Sequence, residues 1–187
     1  MIISISGPSS TGKTTLLHAL QTQVDNCLFQ EESFRLFIKD KNINFNDPVE
    51  AFNFQVDLSN YMNNVIHTNM YYSNYTHIIS DRCLFDSIVY SLLHFNRLSN
   101  QIIYMPKLLE IISIYLKQLK YIDKIFLTFG TNEVEDDHVR PRIYAKLRQE
   151  ELYLFRHLSS LLNQKICMLP STTKERIQTI QKYLNSD

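Results

Sequence analysis

The sequence predicts an α/β protein in three layers: a mostly parallel five-stranded sheet, helices on both faces, and a short lid. Three observations carry that expectation. Short apolar, β-branched runs alternate with longer stretches at helical spacing, the pattern of parallel strands joined by crossover helices. The first run leads directly into a glycine-bearing loop and then a helix. Polar and charged residues collect just after the strands, where open α/β sheets take their ligands.

The first strand is the run Ile2, Ile3, Ile5. Gly7-Pro8-Ser9-Ser10-Thr11-Gly12-Lys13-Thr14 follows it, and Thr15 to Gln23 is a helix with Leu16, Leu17 and Leu20 on one face. Two glycines bracketing four residues, then Lys and Thr, form a phosphate-binding loop in the strand-loop-helix context it needs. The chain has three glycines and places two of them here, which marks a backbone requirement. Backbone N–H groups from Gly7 through Ser9, Ser10, Thr11, Gly12, Lys13, Thr14 and Thr15 are expected to curl around phosphate oxygens, helped by the helix dipole. Lys13 should reach the outer phosphates, and the Thr14 hydroxyl should ligate Mg²⁺.

Cys27 to Gln30 is the second strand candidate, ending at Glu31-Glu32, and Ser33 to Asp40 is a helix or a loop. Asp47-Pro48-Val49-Glu50 reads as a helix start, with Asp at the cap, Pro at the first helical position and Glu three residues after the cap. Phe52, Val56, Tyr61 and Val65 carry that helix to about Tyr72. Thr76 to Ser80 is a strand with Asp81-Arg82 at its end, and Leu84 to Phe95 is helical. Pro106 is expected to open another helix, with Leu108, Leu109, Ile112, Tyr115, Leu116 and Leu119 at helical spacing. Lys124 to Phe129 is a strand, Thr131 to Arg142 a polar segment, and Ile143 to Leu162 one helix. Lys165 to Leu169 and Lys174 to Leu184 form the last strand and helix.

Composition bounds the function. A chain of 187 residues, 44% hydrophobic and 20% charged, reads as a single domain spanning 1–187. A net charge of +0 gives no global attraction to nucleic acid or to a membrane surface. The three cysteines, Cys27, Cys83 and Cys167, fit no metal spacing and no disulfide framework. With no span-length apolar stretch and a first strand that feeds the loop, the expectation is a cytoplasmic protein without membrane contact.

Three further clusters follow the strands. Asp81 is placed where a Mg²⁺ ligand beside the loop belongs, and Arg82 can clamp phosphate oxygens; Asp81 as a helix cap is the structural alternative. Glu31 and Glu32 offer a carboxylate to take a proton from an attacking hydroxyl, and Arg35 can grip an anionic substrate; an exposed acidic helix start is the alternative. Asp136-Asp137-His138-Val139-Arg140-Pro141-Arg142 has the makings of a lid over about 131–142, with Arg140 and Arg142 closing on the phosphates; a solvated loop is the alternative. Phe34, Phe52, Phe54 and Tyr61 are candidates to stack a base, although their helical spacing suits core packing.

Taken together, Gly7 to Thr14, Glu32-x-x-Arg35, the helix around Gln55, Asp81 and Asp136-Asp137-x-x-Arg140 resemble a small P-loop kinase of the ribosylnicotinamide-kinase type, the kinase domain of bifunctional bacterial NAD-biosynthesis regulators. The resemblance implies ATP with Mg²⁺ as donor, and a hydroxyl or phosphate on a nucleoside- or nucleotide-like substrate as acceptor, with Gln55 among the acceptor's contacts. Asp81-Arg82 also resembles the Asp-Arg of thymidylate kinases and the Glu-Arg of deoxynucleoside kinases. Arg82 departs from the Thr-Asp of ribosylnicotinamide kinases, and His138 replaces their lid glycine. Phage kinases of this general type phosphorylate hydroxymethyl-pyrimidine bases in DNA, so DNA stands as an alternative acceptor. A nucleotide-dependent switch NTPase is the reading from another class.

Overall fold

β1 (Ile2–Ser6) is the centre of the sheet. It pairs with β3 (His77–Asp81) on one side and β4 (Lys124–Leu127) on the other, while β2 (Cys27–Gln30) and β5 (Ile166–Met168) form the edges. The order is β2-β3-β1-β4-β5 and every strand pair is parallel. The structure is a computed structural model, and it describes residues 1–31, 33–39, 41–72, 74–129, 143–162 and 165–186.

Alternation along the strands divides the core in two. Ile3 and Ile5 of β1, Ile79 of β3 and Phe126 of β4 share one face. There they meet Leu16, Leu17 and Leu20 of α1 (Lys13–Gln21), and Ile177, Ile180 and Leu184 of α8 (Thr173–Leu184). Ile125 and Leu127 of β4 point the other way, into a larger cluster. That cluster is built by α3 (Pro48–Tyr72), α4 (Leu84–Phe95), α5 (Gln101–Leu119) and α7 (Arg148–Leu161). Ser4 and Ser6, fully buried, alternate with the isoleucines of β1 and leave room for α4 to lie close. Helices therefore cover both faces, as expected.

Several elements differ from the sequence reading. Asp47 caps α3 as foreseen, accepting the N–H of Val49 at 2.8 Å and of Glu50 at 3.3 Å, but Glu50 binds the Asn44 N–H instead of closing a box. Pro106 does not open α5: the helix starts at Gln101 and carries the proline inside. Its buried stripe is Leu108, Ile111, Tyr115 and Gln118, while Leu109 and Leu116 are exposed. The long C-terminal helix is broken at Leu147 into α6 (Ile143–Lys146) and α7. α1 begins at Lys13, because Gly12 takes the cap position. α2 (Ser33–Ile38) settles the choice between helix and loop, and the predicted lid lies outside the described residues.

Candidate active site

All the strands are parallel, so their C-terminal ends open on one edge of the sheet, and the loop after β1 lies there beside the ends of β3 and β4. Gly7 has φ 136° and Gly12 φ 79°, a region where a Cβ is disfavoured. At Gly7 space is a second constraint: a Cβ would sit 2.2 Å from the Thr128 carbonyl oxygen. Thr11 pins the loop from within, its hydroxyl 2.9 Å from the Pro8 carbonyl and 2.6 Å from the Thr128 hydroxyl. The Lys13 ammonium, buried, donates to the Pro8 carbonyl at 2.6 Å and to the Thr11 hydroxyl at 3.4 Å. Gly12 brings no side chain to the cap of α1, so the positive end of that helix faces the loop uncovered by a capping group.

Thr14 and Asp81 meet. The Thr14 hydroxyl donates to Asp81 Oδ2 at 2.7 Å, bringing together a hydroxyl and a carboxylate oxygen 67 residues apart. A hydroxyl and a carboxylate oxygen are donors that a hard divalent cation with water in its shell would take, so the residues fit Mg²⁺. Asp81 does not cap α4. Cys83 holds the cap position, and Asp86 closes a capping box with it: it accepts the Cys83 N–H at 3.2 Å, and also the Ser6 hydroxyl at 2.5 Å. Burial, with Asp86 nearby, pushes the Cys83 thiol up to about 11, so it is an inert core group.

Arg82 is not a surface ion pair. It is buried at φ 77°, a left-handed conformation rare for a bulky side chain. Its guanidinium donates to Asp86 Oδ1 at 2.9 Å and to the Gly7 carbonyl at 3.2 Å, and it sits 5.5 Å from the centre of the Tyr90 ring. The strained turn thus aims a cation at the start of the phosphate loop.

Sequence reasoning missed a second support. Glu151 of α7, fully buried, accepts the Ser9 N–H at 2.8 Å, the Tyr90 hydroxyl at 2.6 Å, and Arg148 at 2.8 Å. Arg148 also donates to the Ser9 carbonyl at 2.9 Å. Burial would raise the carboxyl pKa of Glu151, but the bonds from Tyr90, Ser9 and Arg148 outweigh it and hold the group below its ordinary value. Burial, followed by the Glu151 charge, drives the Tyr90 phenol well above its usual range. No local signal marks these residues, since Glu151 reads as one more polar position of an amphipathic helix.

Two concavities flank the loop. One has a cavity volume of about 40 Å³ and is lined by Phe34, Gln55, Met62, Arg82, Asp86 and Tyr144, among others. The other is a groove with Thr14, His18, Glu31, Arg35 and Asp81 along it. α2 therefore sends consecutive side chains into both, Phe34 to the pocket and Arg35 to the groove. Gln55 is buried, and its Oε1 has no hydrogen-bond partner within the described residues. Phe52 lies in the core against Phe95, while Tyr61 stacks on Phe37 and Phe54 meets Phe34 edge-on at 5.6 Å. Of the four aromatics read as base-stacking candidates, Phe34 is the one on the pocket wall. Behind the pocket, Tyr144 bonds His94 Nε2 at 3.0 Å, and Arg97 lies 2.9 Å from His94 Nδ1. Burial first, and Arg97 second, lower the His94 pKa to about 3, so the imidazole is neutral.

Of the predicted site residues, Gly7, Ser9, Ser10, Thr11, Gly12, Lys13, Thr14 and Thr15 occupy the loop and the start of α1. Asp81 and Arg82 sit beside them, Glu31 and Arg35 in the groove, and Gln55 in the pocket. Glu32, Arg140 and Arg142 lie outside the described residues, as do Asp136, Asp137 and His138.

Comparison with known proteins agrees with this fold. A NadR protein crystallised with NR superimposes with TM-score 0.75 at 21% identity, covering 100% of this chain and 52% of that one. The chain thus spans about half the length of NadR. A deoxyadenosine kinase from M. mycoides with bound dATP gives TM-score 0.70 at 16% identity, with 100% of both chains covered. Thymidylate kinase from Ehrlichia chaffeensis gives 0.61 at 15%, with 98% of each chain covered. At such identities the likeness is one of fold, and the fold is that of P-loop kinases. No curated protein matches the sequence. Residues 2–176 match the family described as AAA domain, and the chain belongs to that family.

Proposed function

We propose that the protein is an ATP-dependent phosphotransferase that moves the γ-phosphoryl group to a nucleoside- or nucleotide-type acceptor. One observation carries the reading. The Thr14–Asp81 pair and the phosphate loop stand directly beside a pocket whose wall holds an aromatic ring, a buried amide and a buried cation. A switch NTPase has no use for that pocket. The NadR protein crystallised with NR, the deoxyadenosine kinase with bound dATP and the thymidylate kinase share the fold, which supports the acceptor class.

In this reading the loop and Lys13 hold the donor phosphates, with Lys13 leaving the Pro8 carbonyl for them. Bound Mg²⁺ would neutralise charge on the outer phosphates, and Thr14 and Asp81 would hold it. Arg82 fixes the acceptor's reacting end, while Gln55 and Phe34 read its base. Glu32 or Asp81 takes the proton from the acceptor hydroxyl as its oxygen bonds to the γ-phosphorus and the bridging P–O bond to the β-phosphate breaks, releasing ADP, and Arg140 and Arg142 close over the transferring group. Positioning and charge neutralisation carry most of such a reaction. We place the protein in the cytoplasm, where these substrates are.

The test is transfer of labelled γ-phosphate from ATP to nicotinamide riboside, deoxynucleosides, nucleoside monophosphates, and DNA with or without hydroxymethylated pyrimidines. Label on one small molecule is the expected result. Label only on DNA would make the acceptor a base within a strand, and free phosphate alone would make the protein a switch. Lys13→Ala should lower turnover by about two orders of magnitude or more while the circular dichroism spectrum stays unchanged.

A further inference from the structure

A buried cation outside the sites already described touches the phosphate loop from behind. Arg176 lies on the buried face of α8 with Ile177, Ile180 and Leu184, where an amphipathic helix would ordinarily carry a hydrophobic residue. All three guanidinium nitrogens donate to backbone carbonyls of three different segments. Nη1 binds Thr11 at 2.7 Å, Nε binds Pro170 at 2.7 Å, and Nη2 binds Phe129 at 3.1 Å. Among the described residues no carboxylate pairs with it, unlike Arg82 and Arg148, which have Asp86 and Glu151. Burial works against the charge, yet a guanidinium does not give up its proton. A buried charge without a counter-ion is costly, and a polyanion bound nearby would offset that cost.

The position of Nη1 shows how. Thr11 and Gly12 share one peptide unit, whose carbonyl accepts Nη1 and whose N–H belongs to Gly12, at the cap of α1. A charge-assisted bond to the carbonyl polarises the whole unit and makes that N–H a stronger donor. The guanidinium also lies close to Gly12: a Cβ built there would stand in ordinary contact with Nη1, at 3.5 Å.

We propose that Arg176 is a positioning residue for the donor triphosphate, polarising the Thr11–Gly12 peptide and supplying uncompensated positive charge directly beneath the phosphate loop. The inference rests on the donor-site reading above. It requires that the triphosphate, and not the base or the acceptor, feels the loss of Arg176.

The experiment is calorimetric binding of Mg-ATP and of inorganic tripolyphosphate to the full chain and to Arg176→Met and Arg176→Lys, with acceptor KM measured alongside. Arg176→Met should weaken both anions about tenfold, the order of one charge-assisted hydrogen bond, and leave acceptor KM unchanged. Arg176→Lys keeps the charge but not the fork, so it should recover part of the loss for both anions. Should Arg176→Met not fold, Arg176→Lys decides: weaker binding of both anions at constant acceptor KM supports the proposal. Variants that bind both anions as tightly as the wild type overturn it alone. So does a loss confined to ATP, or one shared equally by acceptor KM. A wild-type chain that binds neither anion overturns the donor-site reading, and this inference with it.

Discussion

At the residue scale the loop's two glycines are not equivalent, although the sequence pattern treats them alike. Gly7 at φ 136° has the Thr128 carbonyl where a Cβ would be, at 2.2 Å, and backbone cannot move aside cheaply. Gly12 at φ 79° meets only the end of the Arg176 side chain, at 3.5 Å. Gly12→Ala should therefore cost about 1–2 kcal/mol, the left-handed penalty alone. Gly7→Ala should cost more than that and displace the loop from β4, abolishing nucleotide binding. Urea denaturation of the two variants, with nucleotide titration of each, checks the order. Arg82 makes the complementary point. A side chain at φ 77° is tolerated here because its guanidinium is tied to both Asp86 and Gly7.

At the element scale, α7 acts as a strut for the phosphate loop. Glu151 gathers the Ser9 N–H, the Tyr90 hydroxyl and Arg148, so one carboxylate joins the loop, α4 and α7. Glu151→Ala leaves Arg148 buried beside the Ser9 carbonyl without its anion, and the Ser9 N–H without its acceptor. Its expected cost is about 3–5 kcal/mol, a large share of a domain's stability, read as a fall in the urea midpoint. Glu151→Gln keeps shape and acceptor oxygen, and should cost less than the alanine variant. The legible part of this scale was the helices themselves. The Asp47-Pro48 start of α3 and the run of α4 were readable, because caps and apolar periodicity are local. Thr172-x-x-Glu175 was an equally local capping signal, and it sets the start of α8 one residue earlier than expected. Pro106 misled, since a proline marks a helix start only when no turn has already formed before it.

For the whole molecule, acid stability follows from the buried imidazole. Unfolded His94 binds a proton below about pH 6.5, whereas in the fold it does so only near 3. The unfolded state therefore holds more protons between those values, and stability falls as pH falls through that window. The slope should approach about 1.4 kcal/mol per pH unit, and His94→Gln should flatten it, as measured by urea denaturation from pH 7 to 4. Glu151 adds a lower step: its folded pKa is depressed, so its contribution is present above the ordinary carboxylate range and is lost below it.

The sequence by itself determined the α/β class, the parallel sheet, the phosphate loop and the strand-end positions of Asp81 and Arg82. Each of these is written in contiguous residues, as a hydrophobic period, a scarce glycine or a residue just past a strand. Only the tertiary structure decided which groups support the loop. Glu151 reaches Ser9 across 142 residues and Arg176 reaches Thr11 across 165, and both stand in helices whose local pattern accommodates any polar side chain. It also separated Phe34 on the pocket wall from Phe52 in the core, two rings in similar local settings. Burial and hydrogen bonding of a charged group depend on what the chain brings against it from afar, and periodicity carries no record of that.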